Sequence, residues 1–285
     1  MTHRLFLYPF IWISQNKTLT LSNHTQSPIS MKRTLLLSLF ALFLTLSYAQ
    51  PLLVGHRGSY WGVENTAEAL INGALKGYHY LECDIKVAAD GTIVLSHDDT
   101  THRLGGSLTI SHSTLTQLQS ETLTQTRGGV TYTGTICTLA QYLDICAKYN
   151  VLPLIELKWA TGINSNDQSG IPALVQLIET KGFRNKCIIL TSMKPCLEYI
   201  RTHYPDINLQ HLAWKHSRQN FRWCKQWHIN ADIHHSGINR RIIKKYHNAG
   251  LKINTWTLNS LSTFQKYTQI GCDYITTDNL PTPQP

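Results

Sequence analysis

From Leu52 onward, short apolar runs alternate with longer stretches in which apolar residues recur every three or four positions. The short runs are LLVGH (52–56), YLECDIKV (80–87), TIVLSH (92–97), LPLIELK (152–158), CIILTS (187–192), NLQHLAW (208–214), INADIHH (229–235), LKINTWT (251–257) and DYITTD (273–278). Their length and β-branched content predict strands. Most of the stretches between them, such as TLAQYLDICAKYN, IPALVQLIETKG, PCLEYIRTHY and INRRIIKKYHNAG, carry the helical period. ENTAEALINGALKGY predicts another helix, with Asn65 as its N-cap and Glu68 closing an Asn-x-x-Glu capping box. Such alternation predicts a parallel sheet covered by helices.

One connection breaks the alternation. Only residues 88–91 separate the second run from the third. That is too short for a parallel crossover, so the two runs must form an antiparallel hairpin. The remaining eight runs match a TIM (β/α)8 barrel with a small β-hairpin insertion after the second strand. A doubly wound sheet would carry a Gly-x-Gly-x-x-Gly turn after its first strand, and this chain does not.

The pattern before Leu52 is different. MKRTLLLSLFALFLTLSYAQP, from Met31, has two basic residues, an apolar run and then small residues at Ser47 and Ala49, the form of a secretory signal. Residues 1–30 are expected to be an upstream extension without structure, 31–49 a signal peptide, and 50–285 a single barrel domain. The apolar run is short for a membrane span and lacks basic residues on its far side, so no stable span is expected after cleavage. A secreted or periplasmic location in a bacterium follows. Loss of residues 1–49 removes Arg4, Lys17, Lys32 and Arg33 and no acid, so the formal charge falls from +9 to +5. A mildly basic surface without basic runs suits small anions and argues against nucleic acid. All seven cysteines lie beyond residue 49; export would permit disulfides, but the odd count leaves at least one thiol free, and the spacings match no zinc pattern.

Strand parity selects the chemistry. Residues two apart share a face, so Glu82 projects with Asp84 while Cys83 points into packing, and Glu156 projects with Lys158. In a barrel these positions face inward near the strands' C-terminal ends, where active sites collect. Three convergent carboxylates repel one another, and a hard divalent cation with oxygen ligands relieves them. His56 ends the first strand and His97 ends the hairpin's return, placing two imidazoles at the mouth for proton transfer. Arg57 offers a planar fork to a phosphate and Lys158 a point charge. Trp256 could wall the substrate's carbon skeleton. Of His234 and His235, adjacent on a strand, at most one should point inward. Together these groups suit charge neutralisation and proton transfer at an anionic phosphoester.

The segments GHRG, ENT, ECDIKVAADGTIVLSHDD, IELK, NTWTLN and GCDYITTDNLP, in this order, resemble the glycerophosphodiester phosphodiesterase family across residues 52–281. The resemblance implies a TIM barrel that uses one divalent cation, Ca²⁺ or Mg²⁺, to hydrolyse diesters of glycerol 3-phosphate and release an alcohol. It implies His56 and His97 as the acid/base pair and Glu82, Asp84 and Glu156 as metal ligands. Arg57 and Lys158 become phosphate contacts, and Trp256 a substrate-side wall. It further implies attack on phosphorus by the neighbouring glycerol hydroxyl through a cyclic phosphate. Val63, where the family usually has proline, and ICTL (136–139), in place of Pro-Thr-Leu, depart from the pattern in turns. Two other functions are compatible with the same residues: a lipid phosphodiesterase of phospholipase D or sphingomyelinase D type, and a non-catalytic phosphodiester-binding barrel.

Overall fold

The computed structural model describes residues 50–280. The expected extension at 1–30, the expected signal at 31–49 and the last five residues of the tail lie outside the described residues. Among the described residues no helix is long and apolar enough to cross a membrane.

Eight parallel strands close into a barrel: β1 (Leu52–Gly55), β2 (Tyr80–Val87), β6 (Leu152–Leu157), β7 (Ile188–Thr191), β8 (Asn208–Ala213), β9 (Asn230–His234), β10 (Ile253–Trp256) and β11 (Tyr274–Thr277). Each pairs with the next in this order, and β11 pairs with β1 to complete the ring. Helices α1 (Ala67–Leu75), α3 (Leu139–Tyr149), α4 (Ile171–Thr180), α5 (Lys194–His203), α6 (Arg218–Trp227), α7 (Arg240–His247) and α8 (Leu261–Ile270) cover its outside.

The strand residues divide as the period of two requires. Leu81, Cys83, Ile85, Ile155, Leu157 and Ile189 face outward into the core shared with the helices. Tyr80, Leu154, Ile188 and Tyr274 form a second apolar cluster with Val54 and Leu190. Tyr80 and Tyr274 meet edge to face with centroids 5.8 Å apart. Two residues further along, the same faces of β2 and β6 carry Glu82 and Glu156, so each strand changes from apolar to acidic toward its C-terminal end. All seven cysteines are buried free thiols; Cys83 packs in the core as its parity predicts.

The insertion after β2 is larger than the expected hairpin. β3 (Ile93–Leu95) pairs antiparallel with β2, and the chain then continues through two short 3-10 turns, α2 (Leu115–Ser120) and a second hairpin of β4 (Leu123–Arg127) and β5 (Val130–Gly134). It has its own small core of Val63, Ala88, Val94, Ile110, Leu118, Leu123 and Ile136. The hairpin at 123–134 escapes an apolar-run reading because half of its strand residues are threonine or glutamine, around a turn at Gly128–Gly129.

Local rules hold at α3, where Thr138 and Gln141 form a reciprocal capping box. They fail at α1. Its N-cap is Thr66 rather than Asn65, without a side-chain cap, and Asn65 sits in the left-handed region at φ 59°. Its amide is engaged by Asp84, and that tertiary pairing displaces the local cap. Gly58, at φ 90°, allows the tight turn after β1; a Cβ there would lie 2.7 Å from the carbonyl carbon of Ala69.

Candidate active site

The C-terminal ends of the strands enclose a cavity of about 360 Å³. Of the residues singled out in the sequence, His56, Arg57, Glu82, His97, Glu156, Lys158 and Trp256 line it. Asp84 lies just beneath, with a side chain that is 1% exposed.

Glu82, Asp84 and Glu156 each bring a carboxylate oxygen within 4.8 Å of the others. The β2–β6 register sets Asp84 directly beside Glu156. Lys158 Nζ lies 2.5 Å from Glu156 Oε1 and 3.1 Å from Asp84 Oδ1. Burial, then Asp84 and Glu156, push the Glu82 carboxyl well above the usual carboxylate range. Burial and Asp84 bring Glu156 to about 7. Burial would raise Asp84 as well, but Lys158 and Arg57 hold it below its ordinary value. One acid is thus held ionised and two are driven toward protonation, as expected for a crowded carboxylate cluster. Glu82 Oε1 is buried and has no hydrogen-bond partner. An orphaned acceptor inside an all-oxygen donor set fits a hard divalent cation.

Each histidine is oriented by an acid. His56 Nδ1 lies 2.7 Å from Asp278 Oδ1, and His97 Nδ1 lies 2.7 Å from Asp98 Oδ1. An Nδ1 proton directed at a carboxylate leaves Nε2 as the exchangeable nitrogen. Burial lowers the pKa of His97 despite the opposing charge of Asp84. The Asp278 carboxyl, which burial would raise, is lowered by His56.

Arg57 adopts φ 51°, unusual for a residue with a side chain. This turn lets its backbone N–H donate to Glu82 Oε2 at 2.6 Å while its guanidinium lies 2.8 Å from Glu64 Oε1 and 3.4 Å from Asp84 Oδ2. Glu64 also receives Arg103, whose Nη1 and Nη2 donate to its two oxygens at 2.9 and 2.6 Å. Arg103 Nε donates to Asp98 Oδ2 at 2.6 Å.

Sequence reasoning missed Glu64, Asp98, Arg103, Asp232, Trp214 and Asp278 as parts of the site. The acids next to His97 and in ITTDN were visible signals; the Arg103 contacts depend on the fold of the insertion. Neither His234 nor His235 joins the carboxylate cluster: His234 Nδ1 pairs with Ser236 Oγ at 2.8 Å, and its ring packs against Trp214 and Trp256.

A closed (β/α)8 barrel with an oxygen-ligand cluster, paired cations and two carboxylate-held histidines at its mouth defines a barrel enzyme equipped for phosphoester chemistry. Residues 55–282 match the glycerophosphoryl diester phosphodiesterase family, and the chain belongs to that family of phosphodiester-hydrolysing enzymes. It is 29% identical over 233 residues to YhdW of Bacillus subtilis (strain 168), provisionally named a glycerophosphodiester phosphodiesterase, covering 79% of this chain and 93% of that one. Its fold is shared with an Oleispira antarctica phosphodiesterase solved with the product sn-glycerol-3-phosphate (TM-score 0.71, 21% identity, 80% of this chain and 93% of that one). A Parabacteroides distasonis glycerophosphodiester phosphodiesterase is also similar (TM-score 0.66, 20% identity, 82% and 95% covered).

Proposed function

We propose that this enzyme hydrolyses glycerophosphodiesters, such as glycerophosphocholine or glycerophosphoethanolamine, to glycerol 3-phosphate and a free alcohol. His56 and His97 are its acid/base pair. The observation that carries this reading is the pairing of both histidines with carboxylates around a cavity that also holds the three-acid cluster.

Glu82, Asp84 and Glu156 would hold one Ca²⁺ or Mg²⁺, which when bound supplies neutralisation of charge on the phosphate oxygens. Arg57 and Lys158 orient the phosphate from the same side of the cavity. His97, held toward its neutral form by burial, takes the proton from the glycerol 2-hydroxyl. That oxygen forms a bond to phosphorus as the bond from phosphorus to the alcohol oxygen breaks, and His56 gives the departing oxygen its proton. Water then opens the cyclic phosphate with the two roles reversed. Trp256 bounds the organic part of the substrate. We further assign the active domain to residues 50–285, released by cleavage of a signal at 31–49 and acting outside the cytoplasm.

The test supplies glycerophosphocholine and its 2-deoxyglycerol analogue to the enzyme with Ca²⁺ or Mg²⁺. Release of choline from the first and none from the second is expected. Turnover of the deoxy diester at a similar rate would overturn the cyclic route. Cleavage of micellar lysolipid with no action on either soluble diester would favour a lipid phosphodiesterase.

A further inference from the structure

The cavity is divided by charge. Its cations, Arg57 and Lys158, follow β1 and β6, beside the acids of β2 and β6. In the ring of strands, β9 stands opposite β2 and β10 opposite β6. That far side is closed by Leu212, Trp214, Asp232 and Trp256, none of them positively charged. Burial, with His235 alongside, lowers the pKa of the neighbouring His234.

Three rings assemble there. Trp214 and Trp256 meet with centroids 5.0 Å apart at 62°, and His234 lies 4.8 Å from Trp214 and 5.0 Å from Trp256. Both indoles line the same cavity. Trp214 remains 67% exposed, although aromatic side chains of this size are highly buried on average. Below it, Asp232 Oδ1 is buried with no hydrogen-bond partner.

We propose that the wall formed by Trp214 and Trp256 is the subsite for the leaving alcohol and selects a headgroup bearing a compact organic cation, a trimethylammonium group above all. This rests on the phosphodiesterase reading given above. Indole faces attract cations through their quadrupole, and a trimethylammonium is weakly hydrated and buries its methyl groups against the rings. A zwitterionic diester then matches the cavity's polarity, with its phosphate at Arg57 and Lys158 and its cation across the barrel. A neutral headgroup of the same shape has only the apolar contact to gain.

The test compares kcat/KM for glycerophosphocholine with that for the glycerophosphodiester of 3,3-dimethylbutanol, the uncharged carbon isostere, in the cation-loaded wild type and in Trp214→Leu. A preference of roughly 3- to 30-fold for the choline diester is expected in the wild type. In Trp214→Leu the ratio should collapse to within about twofold. Equal values in the wild type, or a loss in Trp214→Leu that is the same for both diesters, would overturn the subsite. If the wild type cleaves neither diester, the hydrolase reading has failed instead. The subsite is then judged by calorimetric binding of the two diesters: tighter binding of the choline diester that is lost in Trp214→Leu supports it, and equal affinity refutes it.

Discussion

Asn65 and Asp84 exchange two hydrogen bonds: Asn65 Nδ2 donates to Asp84 Oδ2 at 2.9 Å, and the Asp84 backbone N–H donates to Asn65 Oδ1 at 3.1 Å. The pair fixes the one acid of the cluster that is held ionised, and it requires the left-handed backbone of Asn65. Asn65→Ala is therefore expected to lose both bonds and add backbone strain, destabilising the fold by about 2–3 kcal/mol. Asn65→Gly should recover the strain but not the bonds. Cation affinity should fall roughly 10-fold or more in both variants. Urea melts and calcium titrations of the two variants check this; wild-type affinity in Asn65→Gly would contradict it.

Arg103 spans two carboxylates, Glu64 and Asp98, and each of those contacts a residue of the proposed machinery, Arg57 and His97. The insertion thereby positions the mouth of the barrel. Arg103→Ala should lower kcat/KM by about 10- to 100-fold, an effect of about 1.4–2.7 kcal/mol on transition-state stabilisation. Because the guanidinium fork is what bridges the acids, Arg103→Lys should recover little and added guanidinium ion more. In a His97→Ala background the Arg103→Ala loss should shrink, since part of it acts through His97. Full additivity of the two losses would show that Arg103 does not position His97.

The crowded acids give a pH dependence with a definite sign. Burial and Asp84 raise Glu156 to about 7, so without a cation the folded chain binds a proton that the unfolded chain gives up near the ordinary value of 4.5. This group's contribution to stability is thus lost as pH rises from about 4.5 to about 7. A bound divalent cation displaces the proton, so cation affinity should increase across that window. The rise in Tm on adding calcium should be larger at pH 8 than at pH 5.5. Glu156→Gln should raise the Tm of the cation-free protein and abolish most of the calcium response. A calcium response independent of pH and unchanged in Glu156→Gln would contradict this account.

The strand pattern made the barrel legible because the barrel strands fall on short strand-like runs and most of the long crossovers have a helical period. Parity paired Glu82 with Asp84 and Glu156 with Lys158, the barrel reading turned both pairs inward, and the strand ends put His56 and His97 at the mouth. What was hidden depends on distant contacts. Asn65 has the local signature of a helix cap, yet Asp84, 19 positions away in the chain, recruits its amide. Glu64 and Arg103 meet across 39 positions, and only the folded insertion brings them together. Trp214 ends a strand run like many core residues, and nothing in that run marks it as the one that stays 67% exposed. The Thr-rich hairpin at 123–134 has too few apolar residues to register as strands, although Gly128–Gly129 between alternating residues was a usable turn signal.

Metal-dependent hydrolysis is tested most directly by the release of glycerol 3-phosphate from glycerophosphocholine by the chain from residue 50 onward, with calcium or magnesium and then with excess chelator. Histidine acid/base catalysis around a divalent cation predicts release that chelator abolishes. Re-added cation should restore it, and His56→Ala and His97→Ala should each reduce it roughly 10²- to 10⁴-fold while leaving calcium binding intact. Release that persists in chelator, or at wild-type rates in both histidine variants, would contradict that mechanism.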